Sequence, residues 1–188
     1  LPPMTRPTDP ALTAARGPDA EFWQQRFETC ATPWDRGGVN PQLQQWLAQG
    51  AIDARAGTIA VPGCGSGHEV AELAAAGCEV VAIDYTPAAV ALTQQRLAAR
   101  GLRAAVVQAD VLAWQPAALL AAVYEQTCLC ALHPDHWIAY AAQVRAWLRP
   151  GGLRPVDLSA AENRTHPVPS PSAGRSPFAH RGKRPGPG

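Results

Sequence analysis

Seven residues constrain this chain more than any others: Val61-Pro62-Gly63-Cys64-Gly65-Ser66-Gly67. A short helical pattern follows them, and then Val80-Val81-Ala82-Ile83-Asp84. The order is a buried strand, a glycine turn, a helix and a second buried strand that ends in an acid. That order makes the nucleotide-gripping corner of a doubly wound α/β fold. There the glycines let backbone approach a ligand, and the acid can accept both ribose hydroxyls.

The glycine spacing separates two ligand classes. A dinucleotide turn reads G-x-G-x-x-G/A, and the position of its last small residue is His68 here. The spacing found is G-x-G-x-G, through Gly63, Gly65 and Gly67. It favours a ligand without a pyrophosphate, such as S-adenosylmethionine, over a nicotinamide dinucleotide. A glycine turn can also be only a tight connection, and Asp84 can merely cap the helix that Thr86-Pro87 opens. The occurrence of all four parts in order favours the ligand reading for both.

Periodicity extends the pattern along the chain. Phe22, Trp23, Arg26 and Phe27 share a face of a first helix, and Asn40-Pro41 opens a second that Gly50 closes. Leu43, Trp46 and Leu47 form the buried stripe of that second helix. Strands are expected at Thr58–Val61, Glu79–Ile83, Ala104–Gln108 and about Ala121–Thr127. Helices lie between them at about Ser66–Ala76 and from Thr86-Pro87 to Gly101, the latter with Val90, Thr93 and Leu97 inward. Asp135 is expected to cap a last helix with Trp137, Ala141, Val144 and Leu148 inward, ended by Arg149-Pro150-Gly151-Gly152. Strands alternating with helices at this spacing imply a mostly parallel, Rossmann-like sheet with right-handed crossovers.

The ends read differently. Residues 1–18 are rich in Pro, Thr and Ala and are expected to be disordered, which leaves 19–152 as the folded domain. Residues 153–188 hold seven Pro among Ser, Arg and Gly, with almost no apolar periodicity, and read as a disordered tail. Leu153-Arg154-Pro155-Val156 makes a poor fifth strand because Pro155 cannot donate to a ladder. The C-terminal strands of the sheet therefore read as missing or altered, and a reading-frame change near Leu153 would account for the shift.

Charge and cysteine content exclude other classes. The chain of 188 residues has a net charge of +1, which gives no electrostatic case for nucleic acid. The charge is uneven, at −3 over residues 1–152 and +4 over 153–188. No apolar run approaches the ~20 residues of a membrane helix, and the N-terminus lacks a signal-peptide core. The five cysteines form no C-x-x-C pair and read as reduced thiols of a cytoplasmic protein.

Four blocks resemble one family. They are Glu21-Phe22-Trp23-x-x-Arg26-Phe27, Thr32-Pro33-Trp34-Asp35-x-Gly37-Gly38, Val61-Pro62-Gly63-Cys64-Gly65-Ser66-Gly67, and Tyr124-Glu125-Gln126-Thr127-Cys128-Leu129-Cys130-Ala131-Leu132-His133-Pro134. With them the chain resembles the thiopurine, thiol and halide S-adenosylmethionine-dependent methyltransferases, from Glu21 to Gly152. The glycine block alone indicates only a class I methyltransferase, and the Thr-Pro-Trp-Asp block makes the match specific. The resemblance implies that the N-terminal aromatic helix and loop fold over the cofactor. Trp23, Phe27 and Trp34 would then line its methionine end. Phe27 stands where the family often has Trp. Gly63 and Gly65 would touch the cofactor through backbone, Asp84 would hold the ribose, and Asp110 with the Val111 backbone would meet adenine. Gln126 would face the cofactor carboxylate or the transfer pocket. The resemblance implies a monomer acting on a small-molecule methyl acceptor.

Blander readings stand beside these. Trp23 and Phe27 at i, i+4 spacing are ordinarily core residues, whereas Trp34 sits in a Pro and Gly loop where core aromatics are less common. His133, Asp135 and His136 look like a metal cluster, but Pro134 breaks the local helix and no third ligand sits at metal spacing, so no metal is expected. His133 can still contact substrate. Cys128 and Cys130 would share one side of an extended strand four. They read as structural thiols, since methyl transfer needs no covalent intermediate. No general base is expected, and Glu125 is the nearest candidate if a thiol must first lose its proton. A second reading of the whole chain is a remnant that binds cofactor without catalysis.

Overall fold

The structure is a computed structural model and describes residues 18–153. The disorder expected at 1–18 and 153–188 therefore falls, apart from Pro18 and Leu153, outside the described residues. Six α-helices and five strands are described. They are α1 (Ala20–Glu28), α2 (Pro41–Ala48), β1 (Ile59–Pro62), α3 (His68–Ala75), β2 (Val80–Asp84), α4 (Pro87–Ala99), β3 (Ala105–Gln108), β4 (Leu120–Val123), α5 (Cys128–Ala131), α6 (Trp137–Trp147) and β5 (Leu148–Leu153). Single 3-10 turns occur at Ala54–Ala56 and Pro134–His136.

The sheet order is β3-β2-β1-β4-β5, and every neighbouring pair is parallel. Strand order reverses between β1 and β4, the switch point at which doubly wound sheets bind ligands. β1, β2 and β4 are buried at every position, as expected of central parallel strands covered on both faces. Alternate residues feed two cores. Ile59, Val61, Val80 and Ala82 pack with Leu43, Val70 and Leu73. Ala60, Val81, Ile83 and Val123 pack with Tyr140 and Trp147 of α6.

Four expectations need correction. The fifth strand exists and lies earlier than expected, at Leu148–Leu153, where Leu120 pairs with Leu148 and Ala122 with Leu153. An advance of two residues along β4 thus matches an advance of five along β5, so Pro150 and Gly151 sit in an irregularity rather than in a regular ladder. Leu148 consequently leaves the helix, and Tyr140 and Trp147 are its buried residues. Asp135 lies inside a 3-10 turn capped by His133 and does not cap α6. Strand four stops at Val123, so Cys128 and Cys130 lie on a short helix, the first buried and the second exposed.

Candidate functional site

A cavity of about 260 Å³ opens at the carboxyl edge of the sheet. Trp23, Phe27, Trp34, Gly63, Gly65, Asp84, Asp110, Val111 and Gln126 all lie on its wall. They come from six separate stretches of sequence, and the fold brings every one of them together.

The glycine turn forms the floor. Gly63, Gly65 and Gly67 all have positive φ, at 61°, 52° and 72°. A Cβ on Gly63 would come within 3.0 Å of Cys128 Cβ. A Cβ on Gly65 would lie 3.6 Å from the ring of Phe27 in the roof. Helix α4 holds the turn from behind. The Thr93 hydroxyl donates to Gly65 O at 3.0 Å, and Arg96 Nε donates to Ser66 O at 2.6 Å.

Asp84 sits where β2 ends. Its Oδ1 accepts from Thr86 N (3.0 Å) and Thr86 Oγ1 (2.8 Å), and its Oδ2 accepts from Gly65 N (3.1 Å). An ionised carboxylate offers about four acceptor positions. The chain's own donors at Thr86, Gly65 and Tyr85 thus already fix the carboxylate's orientation on the cavity wall. The same contacts explain why the Thr86 side chain does not cap α4. Burial pushes the Asp84 carboxyl above its ordinary 3.8, against the opposing pull of the Thr86, Gly65 and Tyr85 donors.

The far wall is built from the ends of β3 and β4. Asp110 accepts from Leu112 N at 2.8 Å through Oδ1 and lies exposed, while Val111 beside it is buried. Gln126 Oε1 accepts from Tyr124 Oη at 3.1 Å, so its amide nitrogen is the group turned to other partners. Glu125 accepts from Leu129 N at 2.7 Å and is absent from the cavity wall. It holds the start of α5. His133 and His136 stand on the cavity wall beside Leu132.

The roof is aromatic. The Trp34 ring meets Trp23 edge to face at 5.2 Å and Phe27 at 6.1 Å. No residue of α1 is buried, so Trp23 and Phe27 form a roof and not a core. Burial, together with the nearby Asp84 charge, pushes the Cys64 thiol up to about 12. Burial likewise drives the Cys128 thiol upward. Neither supplies a thiolate near neutral pH.

Sequence reasoning missed four residues of the site. Asp35, Ser66 and His68 lie on the cavity wall, and Thr93 supports the turn. His68 served only to exclude a dinucleotide. Its i+2 spacing from Ser66, opposite an acid in the aromatic loop, is a signal that no single-element pattern reveals.

The profile of the thiopurine S-methyltransferase (TPMT) family matches residues 18–167, past the Gly152 at which the sequence resemblance was expected to end. A probable thiol methyltransferase 2 of Arabidopsis thaliana is 28% identical over 132 residues, covering 69% of this chain and 58% of that protein. A thiocyanate methyltransferase 1 of the same plant is also 28% identical, covering 69% of this chain and 57% of that one. The chain thus spans a little over half the length of these curated relatives. Among solved structures, one reported for the conversion of a disulfide bond into a thioacetal group in echinomycin biosynthesis superposes with a TM-score of 0.59 at 28% identity. It covers 66% of this chain and 52% of that one. A 1,6-didemethyltoxoflavin-N1-methyltransferase of Burkholderia thailandensis, solved with bound 1,6-didemethyltoxoflavin and S-adenosylhomocysteine, gives a TM-score of 0.60 at 23% identity. It covers 82% of this chain and 64% of that one, and its likeness concerns the fold.

Proposed function

The chain belongs to the thiopurine S-methyltransferase family, and from that premise we propose that it transfers a methyl group from S-adenosylmethionine to a small soft nucleophile. The acceptor is a thiol, a thiopurine, a halide or a chalcogen anion. The observation that carries this reading is the convergence of all nine residues picked from the sequence on one cavity at the sheet's switch point.

The residues present fit the cofactor. Gly63 and Gly65 leave open backbone on the floor, and Asp84 on the cavity wall offers a carboxylate to a ribose hydroxyl. Asp110 and the Val111 backbone take adenine. The Gln126 amide nitrogen donates to the methionine carboxylate. Trp23, Phe27 and Trp34 turn ring faces and edges to the methionine end, where a cation is favoured beside aromatic faces. When bound, the cofactor supplies an electrophilic methyl on a sulfonium, and the protein supplies orientation and a dry site. The roof excludes water and strips the hydration shell of an anionic acceptor. Holding the two reacting atoms at ~3–3.5 Å in line supplies much of the rate. An acceptor that arrives as an anion needs no base, consistent with Glu125 being committed to Leu129 N.

Residues 19–152 form the working domain. None of the five cysteines is in a disulfide, which suits a reducing compartment, and the cytoplasm is the proposed place of work. The protein acts as a monomer on a small molecule. Among the described residues, no helix is long and apolar enough to cross a membrane.

The test is to incubate the chain with S-adenosylmethionine and a panel of thiocyanate, hydrosulfide, iodide, thiophenol and a thiopurine. Acceptor-dependent formation of S-adenosylhomocysteine supports the reading. No product with any of these, from a chain that binds the cofactor, would reject the acceptor class.

A further inference from the structure

The aromatic roof has little packing of its own. No residue of α1 is buried, and around Gly37 and Gly38 nothing lies within 4 Å of where a side chain would begin. Specific polar ties hold the roof at two ends instead. At one end, Gln24 of α1 accepts from Ala88 N, in the first turn of α4, at 3.0 Å. At the other, the Asp35 carboxylate gathers three donors. Oδ2 accepts from the Ser66 hydroxyl, and Oδ1 accepts from Gly37 N at 2.7 Å and faces His68 Nε2 at 3.2 Å.

These ties close a ring. α1 is held to α4 through Gln24, and α4 holds the glycine turn through Thr93 and Arg96. The turn holds the loop through Ser66 and His68. The loop returns to α1 through Trp34 against Trp23 and Phe27. The weight of the ring falls on one carboxylate, because Asp35 is the only acid in the loop and the residue next to Trp34. Burial alone would raise its carboxyl, but the Ser66 and Gly37 donors and the charges of His68 and Arg96 hold it below 3.8.

We propose that Asp35 is a positioning residue, a latch that seats the Trp34 loop on the glycine turn and so closes the roof over the cofactor pocket. The proposal rests on the reading of that pocket as an S-adenosylmethionine site. Cofactor entry and exit then require the Asp35 contacts to Ser66 and His68 to open. His68 at the start of α3 is the latch's partner, which gives that position a use in this turn that a small residue would not have.

The experiment compares wild type, Asp35→Ala and Asp35→Asn in two measurements. The first is hydrogen exchange of the amides in residues 32–38, without added ligand. The second is the dissociation rate of S-adenosylhomocysteine, followed by tryptophan fluorescence. Asp35→Ala is expected to speed both by about tenfold. Asp35→Asn keeps an acceptor oxygen for Ser66 or Gly37 but loses the charge facing His68, so it falls between. If Asp35→Ala does not fold, Asp35→Asn carries both comparisons. Unchanged exchange in 32–38, or an unchanged dissociation rate, overturns the latch. A wild type that binds no S-adenosylhomocysteine overturns the functional reading instead, and the exchange measurement then still decides whether Asp35 seats the loop.

Discussion

Gly67 carries the tightest steric demand of the three glycines in the turn. It caps α3 at φ 72°, and a Cβ there would lie 2.6 Å from Thr93 Oγ1 and 2.8 Å from Thr93 Cα. The third glycine is therefore required by the helix behind the turn. Gly67→Ala combines a left-handed backbone with a clash against helix backbone, and should cost about 3 kcal/mol or more in chemical denaturation. Asp35 and Asp84 behave oppositely with pH. The Asp35 carboxyl is held below 3.8 in the folded state, so its contribution is complete at neutral pH and is lost as pH falls through that lowered value. The stability gap between wild type and Asp35→Ala should accordingly hold at pH 7 and shrink only below 3.8. Asp84 is raised by burial, so its ionised form costs stability at neutral pH, and that cost is relieved as pH falls through its raised value. The protein retains this cost at a position on the cavity wall.

Two elements fix the sheet's far side. α6 buries Trp147 completely, and the indole Nε1 donates to Trp114 O at 3.1 Å. Gln143 Nε2 donates to the same carbonyl at 2.7 Å, and the Trp114 and Trp147 rings meet edge to face at 5.0 Å. Trp147→Ala should cost about 3–5 kcal/mol in a thermal or urea melt. By contrast, the Tyr140 hydroxyl is buried against the Cys128 thiol without a regular hydrogen bond, so Tyr140→Phe should leave the melt unchanged or raise stability by up to about 1 kcal/mol. The elements also show where sequence reading works. β1, β2 and their connecting helix were legible because apolar runs, glycines and an acid all agree over a short span. The exit of α6 was not. Leu148 fits the helical period, and Pro150-Gly151 reads as a stop signal, yet pairing with Leu120 draws Leu148 into β5. Tertiary pairing there overrides local propensity. Cys128 and Cys130 were misplaced for a related reason, since two-residue alternation cannot tell a strand's end from a short helix.

At the scale of the molecule, the site is a product of topology. The candidate residues span Trp23 to Gln126, and the switch between β1 and β4 gathers them at one edge. Positions that belong to one element, such as Asp84 at the end of β2, could be read from sequence. Roles that depend on two distant elements meeting, such as Asp35 on Ser66 and His68, could not. A ligand that bridges roof and floor should stabilise the whole domain. At one hundred times its dissociation constant, S-adenosylhomocysteine should add about 2.7 kcal/mol and raise the melting midpoint by about 10 °C. The most direct measurement is a calorimetric titration of the 188-residue chain and its Asp84→Ala variant with S-adenosylhomocysteine. Micromolar binding by the wild type, lost in a variant that still melts cooperatively, is the predicted result. No binding by a cooperatively folded wild type, or equal binding by the variant, would contradict the assignment of this pocket.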